Sequence, residues 1–140
     1  MADRIDRTAT KPKTATIYSD VTVNFTAHPN TGMLMQRNNV EAVKRALRNL
    51  IMTNKGERAY QPEFGCDVRT ILFEQATEIN QRQLRTFITE AINNFEKRAL
   101  LEDVVVTLSN DGHTYVIDIY FRLINSPDVQ SLNVKLDRIR

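Results

Sequence analysis

The sequence predicts an α+β domain: two main helices packed on one face of a small, mostly antiparallel sheet, behind an extended N-terminal arm. Three observations predict it. Two segments, near residues 39–53 and 80–98, carry apolar side chains at helical spacing. The last third alternates apolar and polar residues in runs rich in β-branched and aromatic types. Between those runs Asp111-Gly112 marks a hairpin turn. At 140 residues the chain suits one domain, set here at 17–140, with residues 1–16 as the arm. The arm holds only scattered apolar residues, so its order would have to come from a partner.

The elements follow in order. Ile17-Tyr18, then Val21, Val23 and Phe25, read as strand. His28-Pro29-Asn30-Thr31-Gly32 breaks it, and Gly32 to Gln36 reads as a short returning strand. The first helix starts at an Asn38 or Asn39 cap and buries Val40, Val43, Leu47, Leu50 and Ile51. Lys44, Arg45 and Arg48 face away, and Gly56 is expected to close the helix in the left-handed region. A loop without periodicity spans 54–66, after which Asp67 caps a short turn over Val68–Phe73. For the second long helix, Asn80 and Gln83 form a capping box, with Ile79 and Leu84 as its staple. It is expected to bury Leu84, Phe87, Ile88, Ala91, Ile92 and Phe95 and to end near Arg98. Val104–Leu108 and Tyr115–Leu123 are strands, the second with Tyr115, Ile117, Ile119, Phe121 and Leu123 inward. After a turn at Ser126-Pro127-Asp128, Leu132, Val134 and Leu136 face inward on a last strand, against outward Asn133, Lys135 and Asp137.

Composition excludes several classes of function. The chain is 41% apolar and 26% charged, so it is neither collagen-like nor wholly disordered. No apolar run reaches the roughly 18–20 residues that cross a bilayer. The first residues lack the apolar core of a signal peptide, so a cytosol-like compartment is expected. The single cysteine, Cys66, permits no internal disulfide, and Asn24-Phe25-Thr26 is a chance match to a glycosylation site. Nineteen basic against seventeen acidic residues give a net charge of +2, too little to point to nucleic acid. There is no Trp, which weighs against a stacking platform for sugars.

The search for chemistry yields no catalytic residue, no metal and no cofactor. His28, His113 and Cys66 lack ligand spacing. Cys66 has no histidine nearby in sequence, and no G-x-S-x-G is present. Four glycines do not build a phosphate loop of the usual kind. Glu57, Glu63, Asp67 and Glu74 cluster around the central loop. A glycosidase needs two carboxylates about 5–9 Å apart with one desolvated, whereas loop carboxylates beside Arg58 and Arg69 more simply pair locally.

Arg48-Asn49-Leu50-Ile51-Met52-Thr53, Lys55-Gly56-Glu57-Arg58, Pro62-Glu63-Phe64-Gly65-Cys66-Asp67 and Leu72-Phe73-Glu74 together resemble the contractile-tail baseplate wedge family, the sheath initiators of phage tails and type VI secretion baseplates. The resemblance runs from about Tyr18 to the C-terminus and includes the turn Ile124–Asp128. The family's Glu-Pro-Arg signature at the end of its second helix corresponds here to Glu96-Lys97-Arg98, with Lys in place of Pro. The resemblance implies a structural component of a virion tail baseplate, assembled in the host cytoplasm, with six copies per assembly. Its partners would be baseplate wedge proteins and the tail sheath subunit, with the tail tube as a further neighbour, and neither nucleic acid nor membrane. Glu96, Lys97, Arg98, Glu57, Arg58, Glu63 and Phe64 are the implied docking residues. The sheet is expected to leave at least one edge open to a sheath strand, and Asn133 and Lys135 are the partner-facing residues if the last strand is that edge. Because some members carry a lysozyme name, a tail-associated peptidoglycan hydrolase is the alternative.

Overall fold

The computed structural model describes residues 18–21, 25–34, 36–124 and 126–138. The proposed arm, together with Ile17 and Val23 of the first predicted strand, lies outside them. The architecture is the expected α+β one. Strands β3 (Ala99–Leu108), β4 (Thr114–Leu123) and β5 (Val129–Asp137) form an antiparallel sheet in the order β3-β4-β5. Helices α1 (Val40–Met52), α2 (Val68–Leu72) and α3 (Glu78–Phe95) cluster over its buried face. A separate ribbon pairs β1 (Ser19–Val21) with β2 (Gln36–Asn38).

The core follows the predicted faces. Val43, Leu47, Leu50 and Ile51 of α1 and Leu84, Ile88, Ala91 and Ile92 of α3 are buried. They meet Tyr115, Ile117, Ile119, Phe121 and Leu123 of β4 and Leu132, Val134 and Leu136 of β5 in one cluster. Alternation of period two along β4 and β5 puts each of these on one side of the sheet. Each large side chain so buried contributes about 1.5–3 kcal/mol. On α3, Phe95 is 37% exposed and meets Phe64 of the central loop rather than joining the core.

Several local expectations are corrected. Phe25 takes φ 48°, outside the extended region, so it ends the first strand run rather than joining it. The returning strand is Gln36–Asn38, with Ala27 and Leu34 forming only an isolated bridge. Asn39 precedes α1 but makes no capping bond; its Oδ1 accepts the Tyr18 N–H at 3.2 Å. Gly56 does not close α1. Thr53 does, in extended geometry, and Gly56 adopts its positive φ within the following loop. Asp67 precedes α2 without capping it, since its carboxylate pairs with Lys55 at 2.8 Å. Helix α3 starts earlier than the capping box implied. Thr77 is its N-cap, accepting Asn80 N–H at 3.3 Å, and Ile79 is 73% exposed, so no staple forms. Asn80 lies inside the helix instead, its Nδ2 donating to Gln75 O at 2.7 Å. Strand β3 begins at Ala99, five residues ahead of the Val104 start read from sequence. A register shift between Leu101 and Asp103 breaks the alternation that would have revealed it. The β3–β4 hairpin closes through residues 109–113, longer than a two-residue Asp-Gly turn, with Gly112 at φ 69°.

Candidate docking surfaces

The first surface is the end of α3. Glu96 is its C-cap residue, and it is buried at 7% exposure. The Arg98 guanidinium grips its carboxylate with both arms, Nε to Oε1 at 2.7 Å and Nη2 to Oε2 at 2.6 Å. Arg98 N–H adds a third bond to Oε1 at 3.2 Å. These bonds raise the already high pKa of Arg98, so it stays a cation at any ordinary pH. The chain turns between the two residues: Ala99 N donates to Glu96 O, and Ile124 N donates to Arg98 O at the open end of the β3–β4 hairpin. Lys97 does not join the pair; its Nζ reaches back to Asn93 O at 2.7 Å and satisfies a carbonyl of the last helical turn. Arg98 also lies over the Tyr18 ring, 5.7 Å from its centroid. That contact spans eighty positions, and no local sequence signal reports it.

The central loop joins the same surface from the other side. The Arg58 guanidinium stacks on Phe64 at 4.2 Å, and the Phe64 ring meets Phe95 edge-on at 5.2 Å. Phe95 is the last residue of α3, so the loop packs on the final turn of that helix. Glu57 instead turns inward on the loop: its carboxylate accepts Asn54 N–H at 3.0 Å and Asn54 Nδ2–H at 2.7 Å. Glu63 is exposed in the same loop. Gly65 is forced here. Its φ is +126°, and a Cβ would sit 2.5 Å from Thr53 O. The close approach lets Cys66 N donate to that same oxygen at 2.9 Å.

Two of the loop carboxylates, Glu57 and Asp67, are held by local partners. The Asn54 side chain and backbone hold the Glu57 pKa below its usual range, the opposite of what a general acid needs. Asp67 is neutralised by Lys55. Among the described residues no group of three metal-ligating side chains exists, and no helix is long and apolar enough to cross a membrane.

The second surface is the outer side of β5, remote in sequence from the first. Arg138 N donates to His113 O at 2.8 Å. With residue pairs running Asp137–Thr114 to Val129–Arg122, antiparallel alternation turns the N–H groups of Leu136, Val134 and Leu132 toward β4. It turns those of Asp137, Lys135, Asn133 and Ser131 away. Among the described residues no strand pairs on that side. Arg48 Nη2 reaches the outward Asn133 O at 3.4 Å, and Asn133 Nδ2 holds Asp118 at 2.6 Å on the sheet's exposed face. Lys135 is exposed beside it. The structure thus pairs Glu96 with Arg98 and Arg58 with Phe64, and places Asn133 and Lys135 on β5.

Comparison with known proteins agrees with this fold. The chain resembles a Geobacter sulfurreducens protein named as a candidate tail lysozyme, with TM-score 0.66 and 22% identity over 71% of this chain and 91% of that one. It also resembles a chain of the sixfold-symmetrised anti-feeding prophage baseplate, with TM-score 0.60 and 24% identity over 88% and 87%. In sequence it is 33% identical over 98 residues to baseplate wedge protein gp25 of Enterobacteria phage T4, covering 69% of this chain and 74% of that protein. Since the family model for baseplate wedge protein gp25 matches residues 37–128, the chain belongs to that family and is a baseplate wedge component of a contractile-tail system.

Proposed function

We propose that the chain docks on neighbouring wedge proteins through the Glu96–Arg98 end of α3 and starts the tail sheath by offering the free side of β5 to a strand of the first sheath subunits. The supporting observation is the row of outward N–H groups at Ser131, Asn133, Lys135 and Asp137, which an added strand would satisfy by main-chain bonds, displacing Arg48 from Asn133 O. Lys135 and Asp137 make that edge polar, which discourages copies of the chain from pairing with one another. One strand contact is modest, and repetition around a symmetric tail multiplies it. Lys135→Pro tests the reading, because it deletes an outward N–H and no bond to β4. The variant is expected to fold and enter baseplates but to start no sheath. Sheath growth at the normal rate on folded Lys135→Pro baseplates would refute templating at β5.

A further inference from the structure

Among the described residues neither outer strand of the three-stranded sheet pairs on its far side, yet the two edges differ. Ser109 N donates to Thr114 O at 2.8 Å. With pairs Leu108–Tyr115, Val106–Ile117 and Val104–Ile119, antiparallel alternation turns the N–H groups of Thr107 and Val105 toward β4 and those of Leu108, Val106 and Val104 away. That outward row is interrupted at Val104. Its N–H donates to Asp103 Oδ1 at 2.8 Å, and Arg85 Nη2 of α3 holds the same oxygen at 2.6 Å. The register shift between Leu101 and Asp103 falls at the same place, and a bulge twists an edge away from a flat partner. Gln81, Arg82 and Arg85 line a groove with residues 104–106, so a strand entering there meets polar and charged side chains of α3. Strand β5 runs unbroken: its register with β4 is unshifted from Val129 to Asp137, and Arg48 reaches it only at 3.4 Å.

We infer that Asp103, braced by Arg85, closes the β3 edge, so that the sheet takes an added strand on β5 alone and copies of the chain do not pair through β3. A strand approaching β3 would bury the Asp103 carboxylate and find the Val104 N–H already bonded. Asp103 is then the residue that selects the edge. The inference rests on the proposed strand addition for the choice it makes between edges, and the test separates the two. The full-length chain is sedimented over a concentration series, with melting and amide exchange measured for each variant. Asp103→Ala is expected to favour self-association at least about tenfold over the wild type, with protection gained at the Val106 amide, and Asp103→Asn, whose side-chain oxygen still accepts the Val104 N–H, to stay within about threefold. Sedimentation of folded Asp103→Ala identical to wild type overturns the guard. A second measurement needs no variant: amide exchange at Val106 and Leu108 in baseplates carrying the first sheath ring. Exchange as fast as in the free chain supports closure of β3, and protection gained there overturns it. If Val106, Leu108 and Lys135 all stay fast, templating at β5 falls while the guard stands.

Discussion

Gly65, Cys66 and the Glu96–Arg98 pair carry consequences that belong to single side chains. Gly65→Ala places a methyl group 2.5 Å from the Thr53 carbonyl at φ +126°, and about 2 kcal/mol or more of stability should be lost. Gly112→Ala, at φ +69° in open space, should lose about 1 kcal/mol. Denaturant midpoints of the two variants check the contrast. Burial pushes the Cys66 thiol from an ordinary value near 9 up to about 12. The folded state therefore holds its proton where the unfolded chain has released it. The resulting stability is fully present below about pH 9 and is lost as pH rises toward 12. Cys66→Ala should flatten that alkaline fall, seen by melting across pH 8–11. Arg98→Ala strands a buried carboxylate, so the cost exceeds the roughly 1 kcal/mol or less expected of a helix-end pair. With Arg98 partly exposed and water able to enter, about 1–3 kcal/mol is expected in denaturant titration, together with loss of assembly. The sequence named this pair but gave no sign of its burial, because that depends on the β3–β4 junction and on Tyr18.

At the scale of elements, legibility tracks how repetitive the signal is. β4 and β5 were readable because strict alternation leaves one register that buries Ile117, Ile119, Val134 and Leu136 together. The α1 and α3 faces were readable for the same reason at helical period. The helix ends were not. Two good cap residues, Thr77 and Asn80, stand three apart, and the apolar period alone does not choose between them; in the structure Thr77 accepts the Asn80 N–H. Thr77→Ala should therefore cost about 1 kcal/mol of stability, and Gln83→Ala close to none, by thermal melting. The start of β3 was hidden by its bulge, and the 54–66 loop has no period at all. Its Phe64–Phe95 contact was invisible from sequence spacing.

For the whole molecule, fold and family were legible and the division of labour between surfaces was not. The resemblance identified the residues, but only the folded chain separates the α3 end from the β5 edge. On the proposed reading the α3 end holds a wedge protein and the β5 edge takes a sheath strand. The central loop favours that reading over the hydrolase one, since Glu57 and Asp67 are tied to Asn54 and Lys55. Purified protein should clear no cell-wall substrate in zymograms, and clearing abolished by Glu57→Gln would reverse that judgement. The central claim is that β5 gains a strand when sheath begins. Residue-resolved amide hydrogen exchange, on the free chain and on baseplates carrying the first sheath ring, tests it most directly. Leu132, Val134 and Leu136 should be protected in both states, whereas Ser131, Asn133, Lys135 and Asp137 should exchange quickly in the free chain and become protected on the ring. Rapid exchange at those outward amides in sheath-bearing baseplates would contradict the account.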